Sequence, residues 1–132
     1  MSGIFIDDKE RIKVDIYIGK SKDGKKVFAD QRIEGIKANE DLDDSSLESH
    51  NVSFKYPTYK EEVNAMNKGL QTTDGNLEVN IAGINYARLV SLLVEWSFKD
   101  KDGNPIPVTK ANIDALNPAI ANAMVDIITD FV

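Results

Sequence analysis

A strict alternation of apolar and polar residues near the N-terminus is the feature that most limits how this chain can fold. Every second residue from Ile12 to Ile18 is a branched aliphatic, and more polar side chains stand between them. This period of two predicts a β-strand with one buried face. Asp23-Gly24 supplies the positive-φ residue that a tight hairpin needs, so the segment from Val27 to Ile33 is predicted to return as a second strand.

An acidic segment follows the predicted hairpin. Five of the nine residues from Glu40 to Glu48 are carboxylates. Their mutual repulsion disfavours a strand interior and predicts a loop, or a short surface helix capped near Ser45. The clustered oxygens are compatible with a weakly held calcium ion, but a solvated loop or a patch for a basic partner is favoured. The carboxylates taken as candidate partner contacts are Asp41, Asp43 and Asp44.

A third strand and a short helix are predicted next. The stretch from Val52 to Tyr56 alternates again, which predicts a strand. Pro57 suits a first helical turn, Thr58 is a candidate N-cap, and Gly69 suits the end of the helix. The apolar stripe expected to bury this helix consists of Val63, Met66 and Leu70.

The longest helix is predicted to begin between Val79 and Ile84 and to end near Trp96, the only tryptophan. The segment before it, Thr72 to Asn76, is predicted to be a loop. Apolar residues in the helix recur at three- and four-residue spacing, which places them on one buried face. They are Ile81, Ile84, Leu89, Leu92, Leu93 and Trp96.

Two further helices are predicted after a turn at Asp100-Lys101-Asp102-Gly103. Thr109 is a good N-cap for Lys110 to Leu116, and Asn117-Pro118 ends that helix and begins another through Phe131. The apolar side of the last helix consists of Ile120, Met124, Ile127, Ile128 and Phe131. The pattern predicts one α+β domain, in which an N-terminal β-hairpin (1–36), with a third strand, is joined by the acidic loop (37–51) to a helical module of three to four helices (52–132).

Charge and composition narrow the functional classes. A net charge of −6 disfavours nonspecific binding to nucleic acid, and the four lysines between Lys20 and Lys26 surround a predicted turn tip. The absence of cysteine rules out disulfides and thiolate metal sites. No apolar run approaches the roughly 20 residues of a membrane span, and the first residues lack a signal-peptide pattern. We therefore expect a cytoplasmic protein that does not bind membranes.

Motifs for catalysis and cofactor binding are incomplete. Gly19-Lys20-Ser21 resembles the end of a phosphate-binding loop, but Val14 stands where that loop needs glycine. Asp100 begins an EF-hand-like pattern, but Ala111 stands where the bidentate glutamate belongs. The sequence predicts no catalytic residue, metal or cofactor. A small hydrolase that uses the single histidine, His50, with Asp43 or Asp44 is a weak alternative.

The C-terminal part of the chain resembles a known family. The stretches that carry this resemblance are Phe54-Lys55-Tyr56-Pro57-Thr58-Tyr59, Tyr86-Ala87-Arg88-Leu89-Val90, Glu95-Trp96-Ser97, Asp102-Gly103-Asn104-Pro105-Ile106-Pro107-Val108-Thr109 and the Asn-Ile-Asp-Ala-Leu-Asn-Pro run that follows. Over about Val52 to Val132 the chain resembles small tail assembly chaperones of tailed phages. The resemblance implies a non-enzymatic protein of the host cytoplasm that binds the tape measure protein during tail assembly and keeps its hydrophobic helices soluble.

A permanent virion subunit is the main alternative. It would be a capsid decoration, connector or tail-associated protein whose hairpin augments the sheet of a neighbour. Either phage function makes a homo-oligomer plausible. Besides the three aspartates, the candidate partner-binding residues are Trp96, Phe98, Tyr56 and Tyr59. Trp96 is expected to lie at the edge of the core, at an interface, or at both.

Overall fold

The computed structural model describes residues 4–132 and shows an antiparallel sheet packed against helices. The strands are β1 (Ile12–Ser21), β2 (Val27–Asp30), β3 (Leu42–Phe54), β4 (Leu70–Thr73), β5 (Asn76–Val79) and β6 (Leu93–Trp96). The helices are α1 (Ile33–Lys37), α2 (Tyr59–Lys68), α3 (Ile81–Leu92), α4 (Lys110–Asp114) and α5 (Pro118–Phe131). The predicted α+β class, with N-terminal strands and C-terminal helices, is confirmed.

Four strands form the main sheet in the order β2-β1-β3-β6, and every neighbouring pair is antiparallel. The predicted N-terminal hairpin is therefore confirmed, although its second strand ends at Asp30 because Ile33 begins α1. The predicted third strand is also confirmed, since Phe54 of β3 pairs with Ile12 of β1. β3 lies between β1 and β6, so it has a strand partner on each edge.

The prediction of an acidic loop was wrong. β3 begins at Leu42 and includes most of the acidic segment. The pairing shifts register between Ile18 and Lys20, so residues 44–47 bulge out opposite Gly19. Lys20 pairs with Asp43 across the strands. Asp44 and Glu48 are exposed, so solvent screens the repulsion from which the loop was predicted.

The prediction that the longest helix reaches Trp96 was also wrong. α3 ends at Leu92, and Leu93 takes an extended conformation that begins β6. Trp96 then pairs with Val52 of β3. Because β3 is fully buried at this end, its backbone N–H and C=O groups need partners, and β6 supplies them. The apolar run at Leu92-Leu93 fits a buried helix and a buried strand equally well.

The predicted loop before α3 is a second β-hairpin. β4 and β5 pair only with each other. Asp74 (φ 52°) and Gly75 (φ 81°) both adopt the left-handed conformation at the turn, as the central residues of a type I′ hairpin require. The C-terminal module therefore contains three strands as well as helices.

The core lies between one face of the main sheet and helices α3, α4 and α5. Its buried residues are Ile16, Val52, Phe54, Leu89, Leu92, Leu93, Ile113, Ala123, Met124, Ile127 and Ile128. The predicted apolar side of α5 is confirmed, with Ile120 and Phe131 half-buried at its margins. Ile81 is 62% exposed and departs from the predicted buried face of α3. Among residues 4–132, none of the helices combines the length and the apolar character needed to cross a membrane.

Candidate protein-binding groove

Helix α2 does not bury its predicted apolar stripe. Val63 and Met66 are 37 and 44% exposed, and Leu70, which is 42% exposed, lies beyond the helix in β4. The buried residue of α2 is Ala65, which faces the rest of the protein with a very small side chain. As a result, α2 packs beside α3 without filling the space between the two helices.

Two sets of polar contacts fix α2 in place. At its N-terminus, Thr58 is the N-cap, as predicted, and it forms a capping box with Glu61. The Lys55 ammonium lies 2.6 Å from a Glu61 carboxylate oxygen. Partial burial would raise the pKa of Glu61, but hydrogen bonds from Lys55 and Thr58 outweigh burial and hold this pKa below its ordinary value. In the same first turn, Glu62 accepts two hydrogen bonds from Arg88 of α3, at 3.2 and 2.7 Å.

An open groove of about 600 Å³ lies between α2 and α3. Small or apolar residues form much of its lining: Ala65, Gly83, Ala87 and Val90. Polar side chains also line it, among them Lys68 and Lys110. Lys68 has no ion-pair partner within the described residues. The groove therefore combines an apolar lining with a free cation.

One wall of the groove is a small hydrogen-bonded cluster. The Tyr86 hydroxyl of α3 donates to Asp114 of α4 at 2.6 Å, and the Lys110 ammonium donates to the same carboxylate at 3.2 Å. The hydrogen bond from Tyr86 is the main reason that the pKa of Asp114 lies below its ordinary value, and Lys110 acts in the same direction. These contacts connect α3 to α4 beside the groove.

Replacement of Tyr86 by phenylalanine is expected to raise the pKa of Asp114, because the carboxylate loses its strongest hydrogen-bond donor. A carboxyl whose folded pKa is lowered stabilises the fold above its unfolded pKa, and this stabilisation is lost as the pH falls through the folded value. NMR titration of the Asp114 carboxyl carbon measures the change. Tyr59→Phe, at a tyrosine that is 87% exposed, is the control. Equal Asp114 pKa values in the wild type and Tyr86→Phe would contradict the assignment.

The structure brings two of the predicted partner-binding residues together. The rings of Trp96 and Phe98 lie 5.2 Å apart, and both are half-buried against the core. The Trp96 indole donates a hydrogen bond to the Ile106 carbonyl at 2.5 Å. This contact ties β6 to the Pro105-to-Pro107 segment, so the tryptophan closes one edge of the core.

The other predicted residues are dispersed. Tyr56 is half-buried with its ring 6.0 Å from Phe131, whereas Tyr59 extends into solvent. The three aspartates, Asp41, Asp43 and Asp44, lie at the start of β3 beside the lysine-rich turn. Asp43 pairs with Lys20, whereas Val52, the partner of Trp96, pairs with Val14, so the aspartates and the aromatic pair are separated by about 20 Å along β1 at 3.3 Å per residue. The predicted residues therefore do not form one surface.

His50 does not contact the aspartates proposed to accompany it. Its Nε2 atom lies 2.9 Å from Glu48, and its Nδ1 atom lies 3.4 Å from the Ser97 hydroxyl. The Ser97 oxygen also accepts the Asn51 backbone N–H at 2.9 Å. These contacts extend the pairing of β3 with the chain that follows β6. No group of three or more potential metal-ligating histidines or carboxylates occurs in the described part of the chain.

No protein-family model, curated protein or solved structure matches this chain. The sequence signal for the groove was the spacing of small residues, with Gly83 and Ala87 four positions apart on α3. Such spacing lets a second backbone approach closely. This spacing was overlooked because the apolar residues of α3 around Gly83 and Ala87 were assigned to one buried face.

Proposed function

We propose that this protein is a non-enzymatic assembly factor that binds an amphipathic helix of a partner protein in the α2–α3 groove. The observation that carries the proposal is an open apolar groove with small residues on both flanking helices. Helix-in-groove recognition uses such a surface to cover the apolar face of the incoming helix. The free Lys68 ammonium favours a partner helix that has a carboxylate beside its apolar face.

The partner in this proposal is a phage structural protein, and specifically the tape measure protein. Support comes from the resemblance to tail assembly chaperones, since Tyr86, Ala87 and Val90 belong to one of the stretches that carry it and also line the groove. A tape measure protein has long apolar helices that need cover before assembly. In this function the protein acts in the cytoplasm of the bacterial host.

A permanent virion subunit is the second candidate function. It is favoured by the position of β6 at the end of the main sheet, where the described residues provide no further strand. An exposed strand edge can accept a strand from a neighbouring subunit. Mass spectrometry of purified particles separates the two functions, because a stoichiometric virion subunit is retained and a chaperone is not.

Replacement of Ala87 by arginine tests the groove directly. The long charged side chain fills the space between the helices, and we expect the affinity for tape measure helices to fall by about tenfold or more. Isothermal titration calorimetry with synthetic peptides from the tape measure protein encoded by the same phage measures the affinity.

Ser49→Arg, at an exposed position of β3, is the matched control and should bind like the wild type. Circular dichroism checks that both variants remain folded. If no tape measure peptide binds the wild type, or if Ala87→Arg binds as tightly, the groove is not the recognition site.

A further inference from the structure

The hairpin formed by β4 and β5 has no further strand partner among residues 4–132. The two strands pair only with each other, outside the main sheet. Every side chain described between Leu70 and Val79 is exposed. An isolated two-stranded hairpin is marginally stable in water unless its apolar face is covered.

The register of the hairpin separates its side chains into two chemically distinct faces. Leu70 pairs with Val79, and Thr72 pairs with Leu77. Because directly paired residues share a face and alternate residues return to it, these four form one face, which we call the hairpin face. Gln71 and Glu78 pair on the opposite face. This alternation of apolar and polar residues is typical of a strand pair with one buried face. Leu77 and Val79 are nevertheless 70 and 57% exposed.

We propose that the hairpin face is a self-association surface, on which the same face of a second copy packs across a two-fold axis. This inference goes beyond the proposed function, because the surface is distinct from the α2–α3 groove. The two copies form a four-stranded pair of stacked hairpins, which provides the cover that one hairpin lacks.

The charge distribution of the hairpin is compatible with a second copy as the occupant. Each chain has a net charge of −6, so two copies repel at long range, and their contact must exclude carboxylates to add no short-range repulsion. The hairpin face meets this condition, because Glu78 lies on the opposite face and Asp74 lies in the turn. In a two-fold dimer, the uncharged hairpin face of one copy packs against the same face of the other copy. The contact then contains no charged side chain from either hairpin face.

The exposed area is also of the size that a dimer needs. Val63 and Met66 of α2 and Ile81 of α3, the helices that precede and follow the hairpin in the chain, are also exposed, at 37, 44 and 62%. With the hairpin leucines and valine, they expose on the order of 600 Å², the upper end for the largest patch on a typical monomer. This approaches the roughly 800 Å² that each partner contributes to a standard interface.

Sedimentation velocity of the full chain tests the proposal with two variants of equal charge. Leu77→Asp places a carboxylate on the hairpin face, and we expect the dimer to dissociate with at least a tenfold loss of affinity. Gln71→Asp places the same charge on the opposite face of the same hairpin and should remain dimeric. The groove variant Ala87→Arg should also remain dimeric, which separates this proposal from the proposed function.

Circular dichroism checks that each variant is folded. If Leu77→Asp does not fold, Val79→Asp replaces it as the variant of the hairpin face. A dimeric wild type that only the hairpin-face variants convert to a monomer supports the proposal. A monomeric wild type, a dimeric Leu77→Asp variant, or equal dissociation of both aspartate variants overturns it. A monomer that binds a partner peptide through this face is included among the overturning results.

Discussion

Replacement of Phe54 by alanine lowers the free energy of unfolding by about 3 to 5 kcal/mol. The Phe54 side chain is completely buried, and its ring lies 5.9 Å from that of Phe131. The smaller side chain loses the burial of the ring and leaves a cavity at the junction of β3 and α5. Urea denaturation followed by circular dichroism measures the change.

Tyr59→Ala is the matched control for this prediction. The Tyr59 ring is similar in size to that of Phe54, but Tyr59 is 87% exposed. We therefore expect the free energy of unfolding to change by no more than about 0.5 kcal/mol. If Phe54→Ala destabilised the protein no more than Tyr59→Ala, the assignment of Phe54 to the core would be wrong.

Replacement of Trp96 by alanine lowers the free energy of unfolding by about 3 kcal/mol, at the low end of the range for large core aromatics. The indole is only half-buried, but it contacts Phe98 and donates a hydrogen bond to the Ile106 carbonyl. Its loss removes ring packing and a tie between β6 and the segment that follows. Chemical denaturation measures the stability, and calorimetry with the partner peptides measures binding.

Trp96→Phe separates the two contributions, because it keeps an aromatic ring and loses the donor. We expect it to cost about 1 kcal/mol, the net value of one hydrogen bond. A loss below about 1 kcal/mol for Trp96→Ala, together with loss of partner binding, would instead place the indole at an interface.

The parts of the fold that were predictable are those encoded by neighbouring residues. The alternation from Ile12 to Ile18 and the Asp23-Gly24 turn were sufficient for the first hairpin. Thr58, predicted as an N-cap, likewise marked the start of α2. The second hairpin has an equally local signal in Asp74-Gly75, and it was missed because the alternation around it was assigned to the beginning of a helix.

The parts that could not be predicted depend on partners distant in sequence. Whether the chain at Leu93 continues as a helix or becomes a strand is decided by the unpaired edge of β3, which no local pattern reveals. The acidic segment is a strand because it pairs with β1, about 25 residues earlier in the chain. The groove exists because the buried residue of α2 is an alanine, and the stripe beside it, at Val63 and Met66, stays exposed.

The central position of β3 has a consequence for synthesis of the chain. β3 can pair with β1 as soon as Phe54 has emerged from the ribosome, but its other edge stays open until β6 follows. The intervening chain includes α2, the second hairpin and α3. During that interval the nascent protein has an unpaired strand beside unfinished core, the state in which strand edges associate with other chains. We therefore expect translational pauses between Phe54 and Trp96 to lower the yield of folded protein more than pauses elsewhere.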